Sequence, residues 1–216
     1  LKELPVGKDG RNRCMLSPFQ SLTGRNQPST SKFFFGPACW IRNLIKPKEG
    51  NGLAYLDWSQ QEFGVAAALS GDQKMQAAYR TGDPYIEFAK LSGAVPAGAT
   101  KDTHPKEREQ YKECILAMQY LMGSQSLALR IKKSEAHAQA LIRSHKHQFS
   151  QFWKWSDDVY NTAALNLKIE SVFGWTYQLK GPFKERTIRN FPMQANGAEM
   201  LRLATIFAVQ AGIKVC

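Results

Sequence analysis

The chain has 216 residues, 43% hydrophobic and 22% charged, with 29 Lys and Arg against 18 Asp and Glu for a net charge of +11. That length suits one large domain or two small ones with a real core, and the composition is that of an ordinary globular protein. No apolar run approaches the roughly 18–20 residues that span a bilayer, and the cationic surplus favours nucleic acid first and an anionic membrane second.

Residues 1–52 are rich in turn formers, from Gly7 to Pro47, Gly50 and Gly52, and read as loops, short strands and one short helix. Leu53-Ala54-Tyr55-Leu56 then reads as a buried strand ending at Asp57. Residues 59–80 are helical, with a break at Ser70-Gly71-Asp72. Gly82-Asp83-Pro84 stops that region and opens a helix to about Ser92, with Gly93–Thr103 as a loop. A helix from Pro105 to about Leu129 follows, kinked near Gly123, and helix continues over 133–166. Within it Phe149, Phe152, Trp153, Trp155 and Tyr160 recur at helical spacing and read as core. Leu167–Leu179 is β-like around a turn at Gly174, Pro192 or Met193 opens a last helix ending near Gly212, and residues 213–216 begin a strand. The order predicts an α+β fold in which a sheet-containing base is interrupted by a helical subdomain.

Cys14, Cys39, Cys114 and Cys216 lie far apart, so neither a zinc cluster nor a disulfide framework is expected. His145 and His147 fall in a basic run that reads as a solvated helix face. Asp57 at a strand-to-helix turn is well placed to hold a divalent metal, since hard cations want oxygen ligands on rigid supports. Ser59-x-x-Glu62 is equally a capping box, and on local grounds both readings stay open.

Downstream, Arg108, Lys112, Leu116 and Tyr120 follow one another at steps of four, each step drifting about 40° around a helix. Two cations, an apolar residue and a tyrosine on one winding stripe match a nucleoside triphosphate lying along the helix; solvated ion pairs with Glu107, Glu109 and Glu113 are the plain alternative. Arg186, Asn190 and Gln194 repeat the spacing, and amides with both donor and acceptor suit minor-groove acceptors common to all base pairs. Thr23-Gly24-Arg25 adds a cation beside a flexible turn.

Taken in order, these motifs resemble the polymerase module of family A DNA polymerases, the bacterial DNA polymerase I type, with Leu116 resembling phage or prophage members. Asp57-Trp-Ser-Gln-Gln-Glu62 is similar to the family's first palm motif, and Arg108-x3-Lys112-x7-Tyr120 to the nucleotide-binding helix of the fingers. Arg186-x3-Asn190-Phe-Pro-Met-Gln194 resembles the segment that follows primer–template DNA, and Thr23-Gly24-Arg25 the segment ahead of the first palm motif.

The resemblance implies a palm-type antiparallel sheet interrupted by helical fingers: residues 1–66 partial palm, 67–173 fingers with the nucleotide-binding helix at about 105–129, and 174–216 palm hairpin and helix. It implies DNA-dependent DNA synthesis with Mg²⁺ as cofactor and primer–template DNA and dNTPs as partners. Asp57 would ligate metal with the Trp58 carbonyl. Glu62 would exclude a ribose 2′-OH, with Gln60 and Tyr85 also lining the nucleotide site. Arg108 and Lys112 would bind the triphosphate, Lys112 also protonating the leaving pyrophosphate. Leu116 would touch base and sugar, and Tyr120 would close the pocket. Arg25, Arg186, Asn190 and Gln194 would track the minor groove.

Leu116 stands where the family has Phe or Tyr, and Tyr85 where many members have a histidine near the triphosphate. The family's second metal-binding aspartate follows the last helix, so it is expected beyond Cys216, and the 216 residues alone are expected to be inactive. A monomer in the cytoplasm of a bacterial or phage-infected cell, at the nucleoid and off the membrane, completes the expectation. Two rivals remain: a single-subunit RNA polymerase relative, which Glu62 opposes, and a non-catalytic DNA-binding protein derived from a polymerase.

Overall fold

The computed structural model describes residues 6–28 and 39–215. They form two compact units, Leu1–Trp58 with Ala198–Cys216, and Ser59–Gly197.

The larger unit is helical. It runs through α1 (Gln61–Ser70), α2 (Gln73–Arg80), α3 (Pro84–Leu91), α4 (Pro105–Gln119), α5 (Ser124–Ile131), α6 (Glu135–Gln148) and α7 (Ser150–Asn166). A hairpin of β3 (Lys168–Glu170) and β4 (Thr176–Gln178) and the start of α8 (Glu185–Gln210) complete it. Neighbours in sequence pack on one another, and α7 returns to cover α1. The shared core holds Phe63, Met75, Phe88, Ile115, Met118, Leu127 and Phe149, all essentially inaccessible. Phe88 meets the Tyr111 ring edge-on at 5.3 Å and the Phe149 ring at 5.7 Å, favourable aromatic geometries.

Side-chain caps open α2, α3 and α6. Asp72 is buried, and its Oδ1 accepts from the backbone N–H of Lys74 and of Met75, each at 3.0 Å, to open α2. Its Oδ2 accepts from the Phe152 backbone N–H at 3.1 Å, so the same carboxylate also ties down the first turn of α7. Asp72→Ala orphans three backbone donors, two of them buried, and is expected to cost about 1–3 kcal/mol in chemical denaturation. A loss below a few tenths would show that water replaces the carboxylate. Gly64 is needed for close approach, because a Cβ there would lie 2.7 Å from the Tyr79 ring. Tyr79 crosses α1 at that point to donate to the Ser59 carbonyl at 3.0 Å.

Several expectations are corrected. The predicted helix over 133–166 breaks at Phe149, whose side chain is withdrawn among Phe63, Phe88 and His145 rather than left on a helix face. The helix from Pro105 stops at Gln119 instead of kinking through Gly123, because Leu121 turns left-handed at φ 51° before α5 starts. The last helix begins at Glu185, not at Pro192. Pro192 removes one intrahelical donor, yet Ile188, Phe191, Met193 and Ala195 around it are all buried, and Asn196 Nδ2 donates to the Pro192 carbonyl at 2.7 Å. Asn196 Oδ1 in turn accepts from the Val172 N–H, fastening the hairpin to α8.

His145 is not on a solvated face: it is fully buried among Phe88, Phe149, Phe152 and Trp153, whereas His147 is exposed. Nor does Ser59 cap α1. Gln60 precedes that helix in a left-handed conformation with no side-chain cap, and the Glu62 carboxylate is turned elsewhere.

The smaller unit pairs β1 (Leu16–Ser17) with β2 (Gln27–Pro28) antiparallel, Leu16 opposite Pro28, and carries a 3-10 helix, Cys39–Leu44. Arg202 donates to the Gly24 carbonyl and lies 4.3 Å over the Phe19 ring. Residues 53–57 are not the expected buried strand, for Leu53, Tyr55 and Leu56 are exposed, Leu56 by 90%. Residues 213–215 likewise form no strand. A strand exists only against a partner's backbone, and no strand among the described residues pairs with either segment.

Candidate active site

α4 carries the predicted stripe, and its end is tied to two other helices. The Tyr120 hydroxyl donates to the Glu62 carboxylate on α1, at 2.9 and 2.8 Å to its two oxygens. Gln194 Nε2 on α8 donates to that same hydroxyl at 2.9 Å. Three residues separated by 58 and 74 positions thus meet at one phenol oxygen. All three are half-buried, so a ligand reaching them finds them already oriented.

The two cations of the stripe are held differently. Arg108 Nε donates to Asp83 Oδ2, and the Arg108 guanidinium lies 5.4 Å over the buried Tyr85 ring. Burial pushes the Tyr85 hydroxyl above its ordinary range, with Arg108 partly opposing, so the ring is a neutral platform. Lys112 Nζ donates to Glu109 at 3.1 Å on the same helix, an exposed pair worth a few tenths of a kcal/mol. Such a contact yields readily to a phosphate. Leu116 is half-buried, one turn short of Tyr120.

Within α8 the Arg186 series divides. Arg186 is exposed, Gln194 is engaged with Tyr120, and Asn190 is buried, its Oδ1 without a hydrogen-bond partner among the described residues. Between them lies Arg189, which the spacing argument passed over. It bonds Asp157 Oδ1 at 2.6 Å, Glu185 Oε1 at 2.7 Å and Ser156 at 3.1 Å, and fixes α8 to α7. Asp83 was equally invisible as an ion-pair partner; Gly82-Asp83-Pro84 signals only the cap that it also forms, with Ile86 N–H at 3.3 Å to Oδ1.

In the smaller unit Asp57 and Trp58 are exposed, and Arg25 is exposed beside the buried Thr23. Asp57 forms no ion pair among the described residues, and an exposed carboxylate is a donor type that suits a hard divalent cation. It fits as one ligand only, because the described residues contain no group of three His, Cys, Asp or Glu able to hold a metal ion.

A family model described as DNA polymerase family A matches residues 37–214. The chain belongs to DNA polymerase family A. Among curated members of this family, it is 27% identical over 176 residues to the thermostable DNA polymerase I of Thermus aquaticus, covering 77% of this chain and 21% of that protein. It is 28% identical over 176 residues to DNA polymerase I of Aquifex aeolicus, covering 77% of this chain and 29% of that one. The chain therefore spans between a fifth and a third of these relatives' length. A family A fold is matched by the POL domain of Pol1 from M. smegmatis, solved in complex with DNA primer-template and dNTP. That likeness has a TM-score of 0.82 at 24% identity and covers 95% of this chain and 39% of that one. Among the described residues no helix is long and apolar enough to cross a membrane.

Proposed function

We propose that this chain is fingers and partial palm of a DNA-dependent DNA polymerase, binding a dNTP along α4 and extending a primer 3′-OH on a DNA template. The observation that carries this reading is the junction of Glu62, Tyr120 and Gln194, which joins the first palm motif, the nucleotide helix and the minor-groove series at one hydroxyl.

Arg108 and Lys112 meet the triphosphate, with charge-assisted bonds that neutralise it and fix its orientation. Lys112, half-buried and paired with Glu109, is the proton donor to the departing pyrophosphate. Leu116 lies against base and sugar, and Gln60 and Tyr85 flank the nucleotide, Tyr85 through its hold on Arg108. Glu62, pinned by Tyr120, stands against C2′ of the sugar. Arg25, Arg186, Asn190 and Gln194 follow the primer–template backbone and minor groove, consistent with the net charge of +11. Asp57 and the Trp58 carbonyl are the ligands this chain offers to Mg²⁺, which when bound supplies Lewis-acid stabilisation of phosphoryl oxygens. The protein works as a monomer, in the bacterial cytoplasm at the nucleoid.

The test is primer extension by the full-length protein with dNTPs against rNTPs. Preference for dNTPs is expected, and Glu62→Ala is expected to erode it by about 10- to 100-fold, the range for losing one steric or polar discriminator. Equal use of rNTPs by the unaltered protein would instead support a single-subunit RNA polymerase, and failure to extend any primer would support a DNA-binding role without catalysis.

Arg108→Ala is expected to raise KM for dNTP while leaving DNA affinity in place, because one charge-assisted phosphate contact is worth about 1.5–3 kcal/mol. An unchanged KM in steady-state extension would remove Arg108 from the triphosphate site.

A further inference from the structure

We propose, on the reading of Arg108 as a triphosphate contact, that Asp83 is the residue that positions Arg108 for the nucleotide. A long arginine side chain samples many rotamers, and ordering it on binding costs affinity. Here that ordering is done in advance from two sides, the Nε edge and one face.

Asp83 Oδ2 takes the Nε edge of the guanidinium. Asp83 Oδ1 is itself fixed by the Ile86 N–H at the start of α3, so the carboxylate cannot rotate away without uncapping a helix. The Tyr85 ring, 6% exposed and one residue after Pro84, supports the guanidinium face. Both Asp83 and Arg108 are mostly shielded, at 14% and 23% side-chain exposure, so solvent weakens this pair less than a surface one.

The bonding pattern leaves a specific edge open. Nε is committed to Asp83, whereas the nearest other anion to the Nη groups is Glu109 Oε2, at 3.9 Å from Nη1. Two Nη groups in a fixed plane form the fork that grips two oxygens of one phosphate. The alternative is that Asp83 merely competes with the phosphate for Arg108. Competition would engage the Nη edge, and the Nε engagement seen here favours positioning.

The measurement uses the full-length protein in steady-state extension, with thermal unfolding as the folding control. Asp83→Ser retains a hydroxyl to cap α3 but is too short to reach Arg108. Asp83→Asn retains the cap oxygen and turns an amide N–H₂ toward the guanidinium. Each is expected to raise KM for dNTP about tenfold with a much smaller change in kcat and none in DNA affinity, as befits a lost orientation. In a double-mutant cycle, adding Asp83→Ser to Arg108→Ala should raise KM no further, since the positioned group is gone. If Arg108→Ala raises KM while both Asp83 variants leave it unchanged or lower it, the positioning role is overturned and the triphosphate reading stands. If Arg108→Ala itself leaves KM unchanged, the triphosphate reading falls and takes the positioning role with it.

Discussion

Asp57→Ala in the full-length protein is expected to lower single-turnover primer extension by about 10³-fold or more while primer–template binding persists. Lewis-acid stabilisation by a bound metal is worth several kcal/mol, and each 1.36 kcal/mol is roughly a factor of ten in rate. Asp57 is exposed and forms no ion pair among the described residues, and thermal unfolding of the variant controls for any packing consequence. A gel-shift titration run beside the extension assay separates the two functions. Extension within tenfold of the unaltered protein would remove Asp57 from the metal site. Loss of extension together with loss of DNA affinity would instead make it part of the DNA surface.

The second large effect is on stability and comes from His145. Burial alone holds this imidazole down at about 3, against 6.5 in an open chain. Its Nδ1 accepts the Trp153 indole N–H at 3.0 Å, and its Nε2 has no hydrogen-bond partner among the described residues. The folded protein therefore keeps His145 neutral where the unfolded chain binds a proton. With the folded value depressed, the unfolded state gains protons as pH falls below about 6.5, and stability declines until about 3. One such group contributes about 1.4 kcal/mol per pH unit across that window, or roughly 2 kcal/mol between pH 6.5 and 5. Chemical denaturation at a series of pH values should show this slope, and His145→Gln, whose amide oxygen can accept from Trp153, should flatten it. Parallel slopes for the two proteins would place the acid sensitivity elsewhere.

How far the sequence could be read depended on whether the cause was local. The ends of α1, α2 and α3 were legible because Gly71, Asp72, Gly82, Asp83 and Pro84 act on their own few residues. The break at Phe149 was not, since it follows from Phe63 and Phe88 drawing that ring inward across the fold. Pro192 misled for the same reason: its local penalty is real, but burial on every side of it carries α8 through. Leu53–Leu56 has the composition of a strand and lacks only a partner, which composition does not reveal. In the candidate site, the stripe on α4 was visible as a spacing. That Tyr120 would find Glu62 was not, because no periodicity relates positions 58 residues apart. The same blindness turned His145 from a core residue into an apparent member of a basic run.

The Tyr120 hydroxyl has one proton to give and one oxygen to receive with. It gives to Glu62 and receives from Gln194, so a swing of its ring cannot break one bond and keep the other. A displaced ring gives up its bonds with Glu62 and Gln194 together. Thermodynamic reciprocity then applies: whatever holds Tyr120 in place through Glu62 favours its bond with Gln194, and the reverse coupling has the same size.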